Sequence, residues 1–188
     1  MLRYDLTPAA HLRLWEESDA EELHALIEAN RDHLAPWLPF ADQPFEKTRE
    51  FVRNARRAIG ERQLLTAIVE DGRIVGSIGT DGIGPDGHST GLGYWLAADA
   101  TGRGLATRAA RAYVDHCFGT WRLERVSIRI ATGNAPSRRV AQRLGFTHEG
   151  TLRHQERVAG AWQDIAIYGL LRNEWAAATA SSPPPGAP

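Results

Sequence analysis

The chain has 188 residues, room for one domain with a sizeable core, and a formal net charge of −1, so no global field favours nucleic acid or an acidic membrane. Its composition, 43% hydrophobic and 24% charged, is that of a soluble globular protein, and its one cysteine, Cys117, excludes an intrachain disulfide and a cysteine-rich zinc site. No apolar run approaches the ~20 residues of a membrane helix, and residues 1–8 lack an apolar signal core, so a cytoplasmic protein is expected.

Residues 11–16 alternate, with Leu12 and Leu14 on one face, which predicts a first strand. Ser18 or Asp19 can cap the helix that follows, with Glu21 and Glu22 in its first turn and Leu23, Leu26 and Ile27 on its apolar face. Pro36 and Pro39 then interrupt the pattern around Trp37 and Leu38. A second helix is expected from Phe45 to Ile59, with Phe51, Val52, Ala55 and Ile59 at helical spacing. Asp71-Gly72, between β-rich runs 64–70 and 73–80, signals a tight hairpin.

A looser turn at 84–87 leads into a strand that ends at Leu96. The run Thr101-Gly-Arg-Gly-Leu-Ala-Thr107 then opens an amphipathic helix to Phe118, with Leu105, Ala109, Tyr113 and Cys117 along one face. Residues 125–130 form a further strand. Asn134-Ala-Pro-Ser137 starts a short helix with Val140, Ala141 and Leu144 inward and Gly145 as its stop. Residues 146–157 and 162–171 make a last hairpin around Ala159-Gly160. Residues 1–175 form a single domain in this reading, and the Ala/Ser/Pro-rich segment 176–188 a disordered tail. The order β α α β β β α β α β β predicts an α/β (α+β) domain with one mixed, mostly antiparallel sheet and helices on both faces.

A glycine-rich turn between a strand and a helix leaves backbone N–H groups uncovered. The helix N-terminus adds the positive end of its dipole, so the turn around Gly102 and Gly104 suits a phosphate; tight turning alone is the plainer alternative. Neither the Gly-Lys-Ser/Thr ending of a nucleotide P-loop nor the Gly-x-Gly-x-x-Gly of a Rossmann fold is present. A phosphorylated ligand of another kind is therefore expected.

Gly93-Tyr-Trp-Leu, Thr101 to Thr107, Asn134 to Ser137, Arg143-Leu-Gly-Phe146, Glu149-Gly-Thr-Leu-Arg153 and Asp164 before Tyr168-Gly-Leu-Leu follow in one order. Together they resemble the GNAT acetyltransferase superfamily, and within it the RimJ/RimL-type ribosomal-protein N-terminal acetyltransferases. Pro36-Trp-Leu-Pro39 with Phe51-Val matches that branch. The resemblance spans residues 11–175. It implies the GNAT acyl-CoA N-acyltransferase fold, whose central sheet splays after a bulged strand. It also implies acetyl-CoA as cosubstrate, no metal and direct transfer to a primary amine, with a protein N-terminus the favoured acceptor. A small amine (polyamine, amino sugar or antibiotic) and a non-catalytic acetyl-CoA sensor are the alternatives. The resemblance allows a homodimer and brings no nucleic acid or membrane.

The family pattern puts the pyrophosphate on the amides of Arg103, Gly104, Ala106 and Thr107, with Gly102 permitting the turn and Leu96 pairing with the pantetheine arm. Thr101 stands where Gln or Arg is usual. Asn134 matches a pantetheine contact and is equally a helix cap. Many members protonate the departing thiolate with a tyrosine, but Ala141 holds that position here. Ser137 matches the serine of the RimL-like branch, for thiolate protonation or hydrogen bonding, against a plain local backbone bond. Glu156 matches the branch's base, with His154, two positions earlier on the same strand face, as substitute. Trp37 and Leu38 would wall the acceptor pocket, with Trp95 and Tyr94 contributing. Asp164 would hold the amine or brace the turn. Arg103 and Arg138 are candidates for CoA phosphates; Arg108 and Arg139 read as a solvated face.

Overall fold

A computed structural model describes residues 3–58 and 62–180. The amino-terminal part forms β1 (Arg3–Asp5), β2 (Ala10–Leu14), α1 (Asp19–Ala29), α2 (Arg31–Leu34) and α3 (Phe45–Arg57). The hairpin β3 (Leu65–Glu70) and β4 (Arg73–Ile83) turns at Asp71-Gly72, both at positive φ, the conformation this dipeptide favours. Then come β5 (Ser89–Leu96), α4 (Leu105–Asp115), β6 (Arg125–Ala131), α5 (Ala135–Arg143), β7 (Thr147–Val158), β8 (Ala161–Leu171) and α6 (Arg172–Ala180).

The eight strands make one open sheet in the order β1-β2-β3-β4-β5-β6-β8-β7. Only β5 and β6 run parallel, and they pair only where Ser89, Thr90 and Gly91 face Arg125, Val126 and Ser127. Beyond Gly91, β5 stays with β4 as far as Leu96, while β6 stays with β8 as far as Ala131. The two leaves thus part from Leu92 onward, as the resemblance implies. Gly93 lies on a central strand yet is exposed, with no atom within 4 Å of where a Cβ would stand. The space beside it is the gap between the leaves.

The expected bulge lies across the ladder. Asp81 and Gly82 of β4, not two residues of β5, stand opposite the single Gly91. Gly82 supplies the left-handed backbone (φ +88), and the Asp81 carboxylate folds over Gly91 so closely that a Cβ there would meet its Oδ2 at 2.0 Å.

Side-chain alternation gives the sheet two different faces. One packs α4 and α5 in a core that crosses both leaves, from Leu12, Ile68 and Ile78 through Leu92 to Val126, Ile130 and Tyr168. The opposite face packs α1 and α3 on β3 and β4 through Trp15, Leu23, Ile27, Val52, Ala67 and Val69. Neighbours on β5 separate accordingly: Tyr94 packs against the first core and Trp95 against the second.

Three elements were not expected. β1 is only three residues long and gains its order from pairing with β2. α2 is a single turn. Residues 176–180, expected to begin a disordered tail, instead complete α6. Trp175 anchors that helix on α4: its indole N–H donates to Asp115 Oδ1 at 2.8 Å, and the Arg111 guanidinium sits 5.1 Å from its ring centroid. Residues 181–188 of that expected tail, and Ile59 of the expected second helix, lie outside the described residues. The helix expected to reach Phe118 ends as α4 at Asp115 and continues as a π-helical turn, His116–Thr120.

Candidate active site

The glycine turn stands at the open end of the gap. Gly102 and Gly104 have φ of +77° and +79°, and nothing lies within 4 Å of a Cβ built on either. The first intrahelical bond of α4 runs from the Arg108 N–H to the Gly104 carbonyl at 3.0 Å, so the N–H groups of Leu105, Ala106 and Thr107 precede the helical ladder. No side chain caps this end. The turn therefore offers open amides and room, which suits a diphosphate. Thr101, in the place of Gln or Arg, donates its hydroxyl to the Ala98 carbonyl at 2.8 Å and so braces the turn. Arg103 is not turned to the amides; Glu70 at the end of β3 holds its guanidinium at 2.7 Å. Arg138 is likewise engaged, with Tyr168 Oη at 3.0 Å and the Thr132 carbonyl at 3.2 Å.

Across the gap, Asn134 caps α5: its Oδ1 accepts the Ser137 backbone N–H at 3.1 Å. Pro136 occupies the first turn, where a missing N–H costs nothing. The Ser137 hydroxyl does not turn back to its own helix. Its Oγ lies 3.0 Å from Tyr94 Oη. Tyr94 thus serves the α4/α5 face and not the acceptor wall expected of it together with Trp95, because adjacent strand residues point to opposite faces. Burial pushes the Tyr94 phenol up to about 12, against a smaller opposing effect of the Ser137 hydrogen bond.

On the opposite face Trp95 meets Phe40 at 6.1 Å between ring centroids. The half-buried Trp37 and Leu38 precede the 3-10 turn Pro39–Asp42 that carries Phe40. This segment reaches the second leaf twice. The Trp37 ring lies over Gly133, 3.5 Å from where a Cβ would stand, and Gln163 of β8 donates its side-chain amide to the Pro36 carbonyl at 2.8 Å. The Trp37–Leu38 segment and Trp95 accordingly border the gap from the α1/α3 side.

Glu156 joins that side through Arg129. Ile128 and Ile130 point into the core under α5, so Arg129 between them points away from it, and its guanidinium binds Glu156 Oε1 at 2.9 Å. His154 does not share a strand face with Glu156. Residues 153–155 bulge opposite the single Asp164, and His154 takes a φ of +49° with its ring stacked on Trp162. Asp164 braces this bulge: its Oδ1 accepts the His154 N–H at 2.8 Å. Cys117 is buried, and burial pushes its thiol up to about 12, so it is no nucleophile.

Sequence reasoning named Tyr94 on the wrong face and missed two supporting residues, Asn30 and Glu70. Strict alternation along residues 89–96 was the available signal for Tyr94. Asn30, at the junction of α1 and α2, accepts the Ala98 N–H at 2.8 Å and ties those helices to the turn before Thr101. Glu70 anchors Arg103. Both are contacts across long sequence distances and leave no local pattern. Among the described residues no group of His, Cys, Asp and Glu could hold a metal, and no helix is long and apolar enough to cross a membrane.

An open glycine turn feeding a split sheet, with aromatic walls on the far side, is a geometry that suits group transfer from a diphosphate-bearing donor. Residues 10–147 match the acetyltransferase (GNAT) domain, and the chain belongs to the GNAT family of N-acetyltransferases. It is 35% identical over 168 residues to the putative ribosomal N-acetyltransferase YdaF of Bacillus subtilis, covering 87% of this chain and 92% of that protein. It is 29% identical over 172 residues to the ribosomal-protein-serine acetyltransferase of Escherichia coli, covering 82% and 94%. Mycobacterium smegmatis RimJ, solved in complex with CoA-disulfide, superposes with a TM-score of 0.78 at 28% identity, covering 90% of this chain and 89% of RimJ.

Proposed function

We propose that the protein acetylates the amino terminus of a protein, with ribosomal proteins as the acceptor class, using acetyl-CoA in a ternary complex. The observation that carries this reading is the gap itself: one strand, β5, presents Tyr94 to the donor face and Trp95 to the acceptor face. The names of the relatives support the acceptor class. Acetyl-CoA, when bound, supplies an acyl group activated as a thioester. The amides of Arg103, Gly104, Ala106 and Thr107 hold its pyrophosphate. The free edge of β5 at Leu96 and the side-chain NH2 of Asn134, whose oxygen is taken by the cap, hold its pantetheine arm. Ser137 donates a hydrogen bond to the departing sulfur. Glu156, fixed by Arg129, takes the proton of the attacking amine.

The base is a half-exposed carboxylate held by one guanidinium. That favours an acceptor needing little help. An α-amine with pKa about 7.7–8.0 is roughly a third neutral at pH 7.5, whereas a lysine at about 10.4 is neutral in only about a thousandth of molecules.

Ser- and Ala-initiated peptides should therefore be acetylated at least about tenfold more efficiently in kcat/KM, or ~1.4 kcal/mol, than spermidine or an aminoglycoside. The release of free thiol reads this out, and Nα-blocked peptides should be inert. Preference for a small amine would overturn the acceptor assignment. Glu156→Gln should lower kcat/KM most below pH 7, and its deficit should narrow above about pH 8, where the α-amine no longer has to be deprotonated before it attacks. A pH profile parallel to that of the parent would remove Glu156 as the base.

A further inference from the structure

The geometry points to Tyr94 as a positioning residue for the transfer step: its hydroxyl holds Ser137 Oγ from the opposite lip of the gap and leaves the serine proton aimed at the departing sulfur. The inference rests on the acetyl-transfer reading above and on Ser137's part in it. Tyr94 belongs to β5 on one leaf, and Ser137 to α5, which follows β6 on the other. Their hydrogen bond, 3.0 Å, crosses the donor face where the strands have parted.

A serine in the first turn of a helix has a competing use for its proton, a bond back to a carbonyl three or four residues earlier. Tyr94 alters that competition. Its single proton has two acceptors on Ser137, Oγ at 3.0 Å and the carbonyl at 3.2 Å. Helix geometry also offers that carbonyl the N–H four residues on, at Ala141, which makes Oγ the less satisfied of the two acceptors. In this assignment the Oγ takes the phenolic proton, which leaves the serine's own proton free to point into the gap. Asn134 Oδ1 already accepts the Ser137 backbone N–H and so competes less for it. Burial keeps the phenol protonated throughout the neutral range, so Tyr94 has a proton to donate. Two hydroxyls in series polarise each other, and the outer one becomes the stronger donor.

The arrangement also accounts for Ala141. That side chain is fully buried in the core under α5 and carries no hydroxyl. The phenol that many GNAT enzymes bring from this helix comes here from β5 and acts through a serine. In the step itself the amine nitrogen bonds to the acyl carbon and the C–S bond breaks with its electron pair on sulfur. The amine's surplus proton leaves by Glu156. The thiolate departs hydrogen-bonded to Ser137 and takes its proton from water, so neither hydroxyl is consumed.

Tyr94→Phe keeps the ring in its packing and removes only the hydroxyl. It should lower kcat about tenfold, the size of one lost neutral hydrogen bond, with KM for acetyl-CoA and Tm essentially unchanged. In a Ser137→Ala background the same substitution should cost nothing further, because the group it aims is gone. An unchanged kcat in Tyr94→Phe, with Ser137→Ala slow, overturns the role of Tyr94 and leaves the acetyl-transfer reading intact. Additive losses in the double variant also overturn it, since packing alone would then explain Tyr94. An unchanged rate in Ser137→Ala would instead fell both this inference and the role of Ser137 on which it rests.

Discussion

Acetyl-CoA should raise the melting temperature of the protein, and Gly104→Trp should abolish that rise. Gly104 stands at φ +79 at the start of α4 with open space where a side chain would go. An indole there would lie across the amides of Ala106 and Thr107. The loss of two hydrogen bonds to a charged phosphate, each worth about 1.5–3 kcal/mol, amounts to on the order of a thousandfold in affinity. The fold itself pays less: an L-residue in this left-handed conformation costs about 1–2 kcal/mol. Gly104→Ala separates the two effects, since it carries the backbone strain but leaves the amides open. It should melt earlier than the parent and still be stabilised by acetyl-CoA. Calorimetry on the three proteins checks this, and an undiminished thermal shift in Gly104→Trp would detach the turn from donor binding.

Ser137→Ala should lower kcat about a hundredfold, within what one hydrogen bond to a developing charge, about 1.5–3 kcal/mol, contributes, with little change in KM for acetyl-CoA. The helix start should survive, because the capping bond to Asn134 uses the Ser137 backbone N–H and not its hydroxyl. Steady-state kinetics beside a melting curve separate the two. A parent-like kcat would take Ser137 out of the reaction.

Most of the frame of this site was legible before any coordinates. Asp71-Gly72 announced a hairpin because both residues tolerate positive φ, and Gly102 and Gly104 announced an uncovered turn for the same reason. The glycine stop at Gly145 and the Asn134 cap marked the ends of α5. These are local signals, each set by one or two residues. What escaped was set by partners far away in the chain. The Tyr94–Ser137 bond spans 43 residues and the Asn30–Ala98 bond 68. His154 was assigned to the face of Glu156 by counting alternate positions, and counting fails where three residues bulge opposite one. The bulge itself has no glycine to reveal it, since His154 takes the positive φ. Likewise α6 has little intrinsic amphipathic pattern, and one tryptophan seated on α4 gives it its order.

The aliphatic core under α4 and α5 runs unbroken from one leaf to the other, whereas no residue of β6, β7 or β8 joins the cluster under α1 and α3. On that second side the described bridges are light: an indole resting on Gly133 and one amide bonded to the Pro36 carbonyl. The molecule is thus welded along one side of its cleft and merely latched along the other. Mutations that reshape the latch sacrifice little folding free energy, whereas mutations in the weld sacrifice much. On the proposed reading, the latch lies on the acceptor side, so acceptor preference can be altered with little cost to the side that would hold the donor.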